Sequence, residues 1–218
     1  MARSDLAIGN LPFLASSFIE TANLFKKKTG KTRGKKVIFI ANASDTHKGK
    51  TWWVDDDRQS FKKLGCQVKN IDLRIISKKD LEKVLQESDI IHFCGGSVLY
   101  LINLLIEKGF DKLIIDFVRK DRIIYTGTSA GSMIVAEDLK LSYYDPEETE
   151  YIDVKKMKDF TGLKFVNFLI IPHTNNKDFS KGNVEMVKYL PKFSQSLIFI
   201  YDNQAIWVED DKFEILGN

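Results

Sequence analysis

The chain has 218 residues, 44% hydrophobic and 29% charged, the make-up of one ordinary folded domain, and this excludes disordered and low-complexity classes. A formal net charge of +3 is too small to argue for nucleic acid, and the basic clusters at 26–36 and 77–80 read as solvated loops and helix ends. No run of about 18 apolar residues occurs, so no membrane span is expected, and Asp5, Asn10 and Pro12 interrupt the apolar region that a signal peptide would need. The two cysteines, Cys66 and Cys94, have no metal-ligand spacing and give no motive for a disulfide, which makes a reducing cytoplasm the default location.

In chain order, the first thirty residues carry an apolar, helix-like stretch, "FLASSFIETANLF", expected to pack on a sheet. Strands are predicted at 35–43, 66–73, 88–94, 121–127, 167–173 and 196–202, with helices near 54–64, 78–87, 97–108, 129–137 and 180–190. Runs such as "VIFIA" and "FLII" are continuously apolar, as strands buried on both faces are. The alternation of short β-branched runs with helical-period segments predicts an α/β fold, a mostly parallel, doubly wound sheet flanked by helices. "AIWVEDDKFEIL" (205–216) reads as a terminal antiparallel β-hairpin. No repeat or linker divides the chain, so 1–218 is expected to be a single domain.

Between the strand "DRIIYTG" and the amphipathic "SAGSMIVAED" lies Gly127-Thr128-Ser129-Ala130-Gly131, a G-x-S-x-G at a strand-to-helix junction. About 0.07 such matches are expected by chance in a chain of this length, before any demand on flanking structure. Small residues are needed there because the chain doubles back too tightly for larger Cβ substituents. The turn would present the Ser129 hydroxyl at the carboxyl end of a central strand, beside a helix N-terminus able to hold an oxyanion. The plainer reading is a glycine-lined helix start that binds phosphate or packs closely; a P-loop is excluded, since no Gly-Lys-Ser/Thr follows.

A serine nucleophile needs a base, and the chain has three histidines. His92, within "IIHF", reads as a buried core histidine, and His47 lies in a loop. His173 follows "FLIIP" at the carboxyl end of a predicted strand, the sheet edge where ligands bind in open α/β folds, and is the preferred base. A carboxylate should orient the imidazole, and Asp145, Glu147, Glu148 and Glu150 crowd the loop at 141–151, compatible with the chain order serine, acid, histidine. A second glycine turn, Gly95-Gly96, follows the strand at 88–94. One of its N–H groups, with that of Ala130, would form an oxyanion hole; the plainer reading is a tight turn with no ligand. Trp52, Trp53, Tyr143 and Tyr144 are candidates for a pocket, a subunit contact or buried packing.

"GTSAGS" after a buried strand, "FCGGS" before it and "IPH" after it resemble the dipeptidase E (aspartyl dipeptidase) and cyanophycinase family of serine peptidases, which share the class I glutamine amidotransferase fold. The similarity runs from about residue 37 to the C-terminal hairpin. It implies a Ser-His-acid hydrolase of small peptides, with Ser129 as nucleophile, His173 as base and Gly95, Gly96 and Ala130 around the oxyanion. The family's acid falls near Asp145 and Glu147. Cys94-Gly95-Gly96-Ser97 stands where members often show Gly-Gly-Gly-Asn. An N-terminal aspartate in the substrate would want a cation, and Lys177 and Lys181 lie beside His173. No cofactor, metal, nucleic-acid or membrane partner is expected, and the chain is expected to be a monomer or homodimer. The rivals are an α/β-hydrolase-type esterase, against which no HGGG-like stretch occurs early in the chain, and a non-catalytic binding protein of the same fold.

Overall fold

The computed structural model describes residues 12–210 and 212–218; the opening residues, read above against a signal peptide, lie outside the described residues. The elements run β1 (Phe13–Ala15), α1 (Phe18–Thr29), β2 (Lys36–Ile40), α2 (Trp52–Lys63), β3 (Gln67–Ile71), α3 (Lys78–Gln86), β4 (Ile90–Phe93), α4 (Val98–Lys108) and α5 (Asp111–Arg119). They continue as β5 (Ile124–Thr128), α6 (Ala130–Met133), α7 (Pro146–Tyr151), β6 (Phe168–Ile171), α8 (Ser180–Tyr189), β7 (Ser196–Phe199), β8 (Ala205–Glu209) and β9 (Lys212–Leu216).

Seven strands form one sheet in the order β3-β2-β4-β5-β1-β8-β9. From β3 to β1 all neighbours are parallel, while β8 pairs antiparallel with β1 and with β9. This is the mostly parallel, helix-flanked α/β sheet expected, ending in an antiparallel hairpin. The apolar strands serve two cores at once: Val37 and Phe39 of β2 pack with α1 and α2 on one face, and Ile38 and Ile40 pack with α3 and α4 on the other. Parallel strands covered on both faces must be apolar at every position, which is why these runs do not alternate. Among the described residues no helix is long and apolar enough to cross a membrane.

Four local readings change. The stretch expected to be wholly helical opens as a strand, since Phe13, Leu14 and Ala15 are fully buried in the middle of the sheet between β5 and β8. A three-residue strand is too short to show a period, and only the extended backbone of Ser17 (φ −129°, ψ 120°) starts the helix. The predicted helix at 97–108 is followed by a second, α5, because Gly109 in the left-handed conformation ends α4 before the apolar pattern stops. The helix expected over 129–137 is the single turn α6. Finally, β6 and β7 pair in parallel with each other as a separate two-stranded sheet; Phe168 of β6 lies 4.9 Å from the ring of Phe213 on β9.

Candidate active site

At the end of β5 the chain turns into α6 through Ser129, whose backbone has φ 49° and ψ −111°. A non-glycine residue in such a conformation costs on the order of 1–3 kcal/mol and persists only where its surroundings impose it. They do so through the backbone: Ser129 N–H donates to the Ala15 carbonyl (3.0 Å), and the N–H groups of Ser132 and Met133 return to the Ser129 carbonyl (2.8 and 2.9 Å). The flanking glycines are sterically obligatory. A Cβ on Gly131 would lie 2.1 Å from the Phe93 carbonyl oxygen, and one on Gly127 would lie 2.4 Å from the Gly131 backbone. This is the reason for the run of small residues.

The Gly95-Gly96 turn after β4 packs directly on this elbow, for a Cβ on Gly95 would sit 3.3 Å from Ser129 Cβ. The turn is fixed by its neighbours. Ser44 Oγ and Trp53 Nε1 both donate to the Gly95 carbonyl (2.7 and 3.3 Å), and Ser97 N–H donates to the Ala43 carbonyl (2.9 Å). Gly96 has φ 141°, and a side chain there would strike Ala43. Among the described residues, no acceptor engages the backbone N–H of Gly95, Gly96 or Ala130.

His173 follows β6 in a left-handed conformation (φ 58°), with its N–H bonded to Ser16 Oγ (2.8 Å). Its Nδ1 meets Asp202 Oδ1 at 2.5 Å. Asp202 also accepts from Ser16 Oγ (3.1 Å) and Asn176 Nδ2 (3.3 Å), while its own N–H donates to Asn175 Oδ1 (2.9 Å). The hydrogen bond from His173 is the main reason the Asp202 carboxyl titrates below the usual carboxylate range; burial opposes it. A carboxylate on Nδ1 fixes the imidazole tautomer and leaves Nε2 as the basic nitrogen. Phe179 stacks on the ring at 4.2 Å and holds its plane.

One short segment ties the two corners together. Ala15 pairs in register with Thr128, and its carbonyl takes the Ser129 N–H; the next residue, Ser16, takes the His173 N–H. Ser129, the Gly95-Gly96 turn, His173 and Asp202 therefore share the carboxyl edge of the parallel strands.

The acid expected between serine and histidine is elsewhere. Asp145 caps α7, accepting from the Glu147 N–H (3.0 Å) with Pro146 following, and its carboxyl lies against Gly182 of α8. "DPEE" is thus a helix-start signal. Glu147 is exposed, Glu148 is buried against α4, and the side chain of Glu150 lies outside the described residues. The carboxylate on His173 is Asp202, which follows the histidine in the chain. Sequence reasoning missed Asp202 and Ser16. The signal for Asp202 was present: it closes "SLIFIYD", the strand run paired in parallel with the one ending at His173. Ser16, placed in a presumed helix, offered none.

His92 is fully buried, with Nδ1 2.9 Å from Thr126 Oγ1 and Nε2 3.1 Å from Asp57 Oδ2, a satisfied core histidine. His47 is exposed and lies edge-on to Trp53 at 4.8 Å. Lys177 and Lys181 are exposed beyond His173, and Trp52 is exposed, whereas Tyr144 stacks on Tyr189 at 3.8 Å.

Comparison with known proteins finds relatives by sequence and by fold. An uncharacterized peptidase of Pasteurella multocida is 31% identical over 209 residues, 94% of this chain and 97% of its own length. One of Listeria innocua is 30% identical over 202 residues, 92% and 93% of the two chains. The fold matches a crystal structure of a protein named for peptidase E from Listeria monocytogenes with a TM-score of 0.85 at 24% identity, covering 96% of this chain and 98% of that one. A peptidase from an acI-B1 actinobacterium superposes with a TM-score of 0.69 at 20% identity, over 96% and 89%. The model of peptidase family S51 matches residues 13–216, and the chain belongs to that family of serine peptidases.

Proposed function

We propose that this peptidase cleaves short peptides, dipeptides among them, with Ser129 as nucleophile, His173 as general base and Asp202 as the carboxylate that orients it. The observation that carries the reading is the Ala15-Ser16 segment, which binds the strained Ser129 elbow with one residue and the His173–Asp202 pair with the next. Ser129 Oγ attacks the scissile carbonyl as His173 Nε2 takes its proton, and the imidazolium is stabilised by Asp202. The N–H of Ala130 and those of the Gly95-Gly96 turn, which have no described acceptor, are the donors for the tetrahedral oxyanion. His173 then protonates the leaving amine, and water, activated by the same imidazole, releases the acyl group. Every step uses residues of this chain and one water. A preference for N-terminal aspartate is the sharper form of the proposal, with Lys177 and Lys181 as the cations that would meet it.

A fluorophosphonate probe tests the reading, because only an activated serine reacts. Labelling is expected at Ser129 and nowhere in Ser129→Ala, together with hydrolysis of a dipeptide panel rather than an ester panel. Peptide turnover that persists undiminished in Ser129→Ala would refute it.

A further inference from the structure

Glu148 has no part in the chemistry above, yet it is only 4% exposed and makes three hydrogen bonds. Its Oε2 accepts from Ser97 Oγ (2.5 Å) and Leu99 N–H (3.0 Å), and its Oε1 accepts from Val98 N–H (2.6 Å). These donors are the cap and first turn of α4, the helix that starts where the Gly95-Gly96 turn stops. The first N–H groups of a helix lack partners within it and carry partial positive charge, so a carboxylate suits them. Ser97 already caps α4 on its own, accepting from Tyr100 N–H at 3.1 Å. A second, buried carboxylate is not needed to start the helix, and it is costly: burial pushes the Glu148 carboxyl up to about 7, against the pull of its three donors, with Asp145 adding to the rise. A buried ionisable group is by itself weak evidence of a gain in stability, which leaves the fixing of a geometry as the role to test.

The geometry in question is that of the turn. On one side Ser44, Trp53 and the Ala43 carbonyl hold Gly95 and Ser97; on the other, among the described residues, Glu148 reaches across from the segment that follows the elbow. We propose that Glu148 is a positioning residue, which fixes the Gly95-Gly96-Ser97 turn against Ser129 so that the glycine N–H groups stand where the oxyanion forms. Glu148 does not touch substrate, and its effect is transmitted through Ser97 and the start of α4. The proposal rests on the preceding assignment of Ser129 as nucleophile and of the turn as oxyanion donor.

The test compares wild type with Glu148→Gln and Glu148→Ala. The readouts are kcat and KM on a dipeptide, the affinity of a peptide aldehyde that forms a tetrahedral adduct, and the rate of fluorophosphonate labelling, all below the unfolding midpoints measured by circular dichroism. A drop in kcat of about 10- to 100-fold is expected for Glu148→Ala with KM within about twofold, paralleled by the loss in aldehyde affinity. Glu148→Gln keeps one carbonyl acceptor and should recover part of that loss, and it serves alone if the alanine variant does not fold. Unchanged kcat, aldehyde affinity and labelling in a folded variant overturn the proposal, as does a loss confined to KM. If wild type itself is not labelled at Ser129, the underlying assignment fails and this inference falls with it; labelling of wild type and variants at one rate sinks the inference alone.

Discussion

At the Ser129 corner the constraints are mostly local backbone: the Phe93 and Gly131 carbonyls stand so close that only glycine fits, and the strained φ is held by main-chain hydrogen bonds, with Ser132 Oγ and Tyr125 Oη donating to the Ala15 and Gly131 carbonyls. At the His173 corner the constraints are side chains from three distant segments, with Ser16, Asn176 and Asp202 converging after β1, β6 and β7. The first corner is made by sterics within a short stretch and should fail by unfolding when Gly127 or Gly131 is enlarged. The second is made by hydrogen bonds between remote parts and should fail by losing orientation while the fold survives.

That contrast can be broken at several points. The largest effect is expected from Ser129→Ala, which should lower kcat by several orders of magnitude with the unfolding midpoint little changed, because alanine inherits the same backbone. Ser129→Gly should lose as much activity but gain on the order of 1 kcal/mol in urea denaturation, as the backbone strain is relieved. Next, Asp202→Asn should lower kcat by about 10⁴-fold with KM preserved, whereas Asp145→Asn should leave kcat within a few-fold and Asp145→Ala should cost about 1 kcal/mol of stability through loss of the α7 cap. If the Asp145 variant were the inactive one, the assignment of the orienting acid would be reversed. Ser16→Ala, which removes a partner from both His173 and Asp202, should cost about tenfold in kcat and about 1 kcal/mol in stability. Should Ser16→Ala instead prevent folding, the view of the second corner as separable from the fold would be wrong.

Acidity sharpens the comparison most gently. Asp202 titrates below its ordinary value, so its contribution is fully present above the unfolded carboxyl pKa near 3.8 and is lost as pH falls through the folded value. Glu148 has the opposite sign. Its folded pKa of about 7 lies above the unfolded 4.5, so between those values the folded chain holds a proton that the unfolded chain has released, and stability declines as pH rises across that window. Urea midpoints measured from pH 3 to 8 should lose this decline in Glu148→Gln and lose part of the acid limb in Asp202→Asn.

The elbow and the parallel sheet were legible because each is written locally: continuous apolar runs mark strands buried on both faces, and Gly127 and Gly131 mark a turn with no room for a Cβ. His173 was legible for a related reason, since it ends such a run. Asp202 was passed over although it too ends a strand run, because the crowd of acids at 141–151 drew attention to what is a capped helix instead. β1 stayed hidden because three residues carry no period, although they are the strand on which both corners depend.

The position of β1 has a consequence for biosynthesis. Its partner on one side, β5, leaves the ribosome first, and β8 and the Gln204 carbonyl that accepts the Ser16 N–H follow later. Until β8 emerges, the strand that anchors the Ser129 elbow is secured along one edge only, so a half-made chain does not yet hold the two corners together.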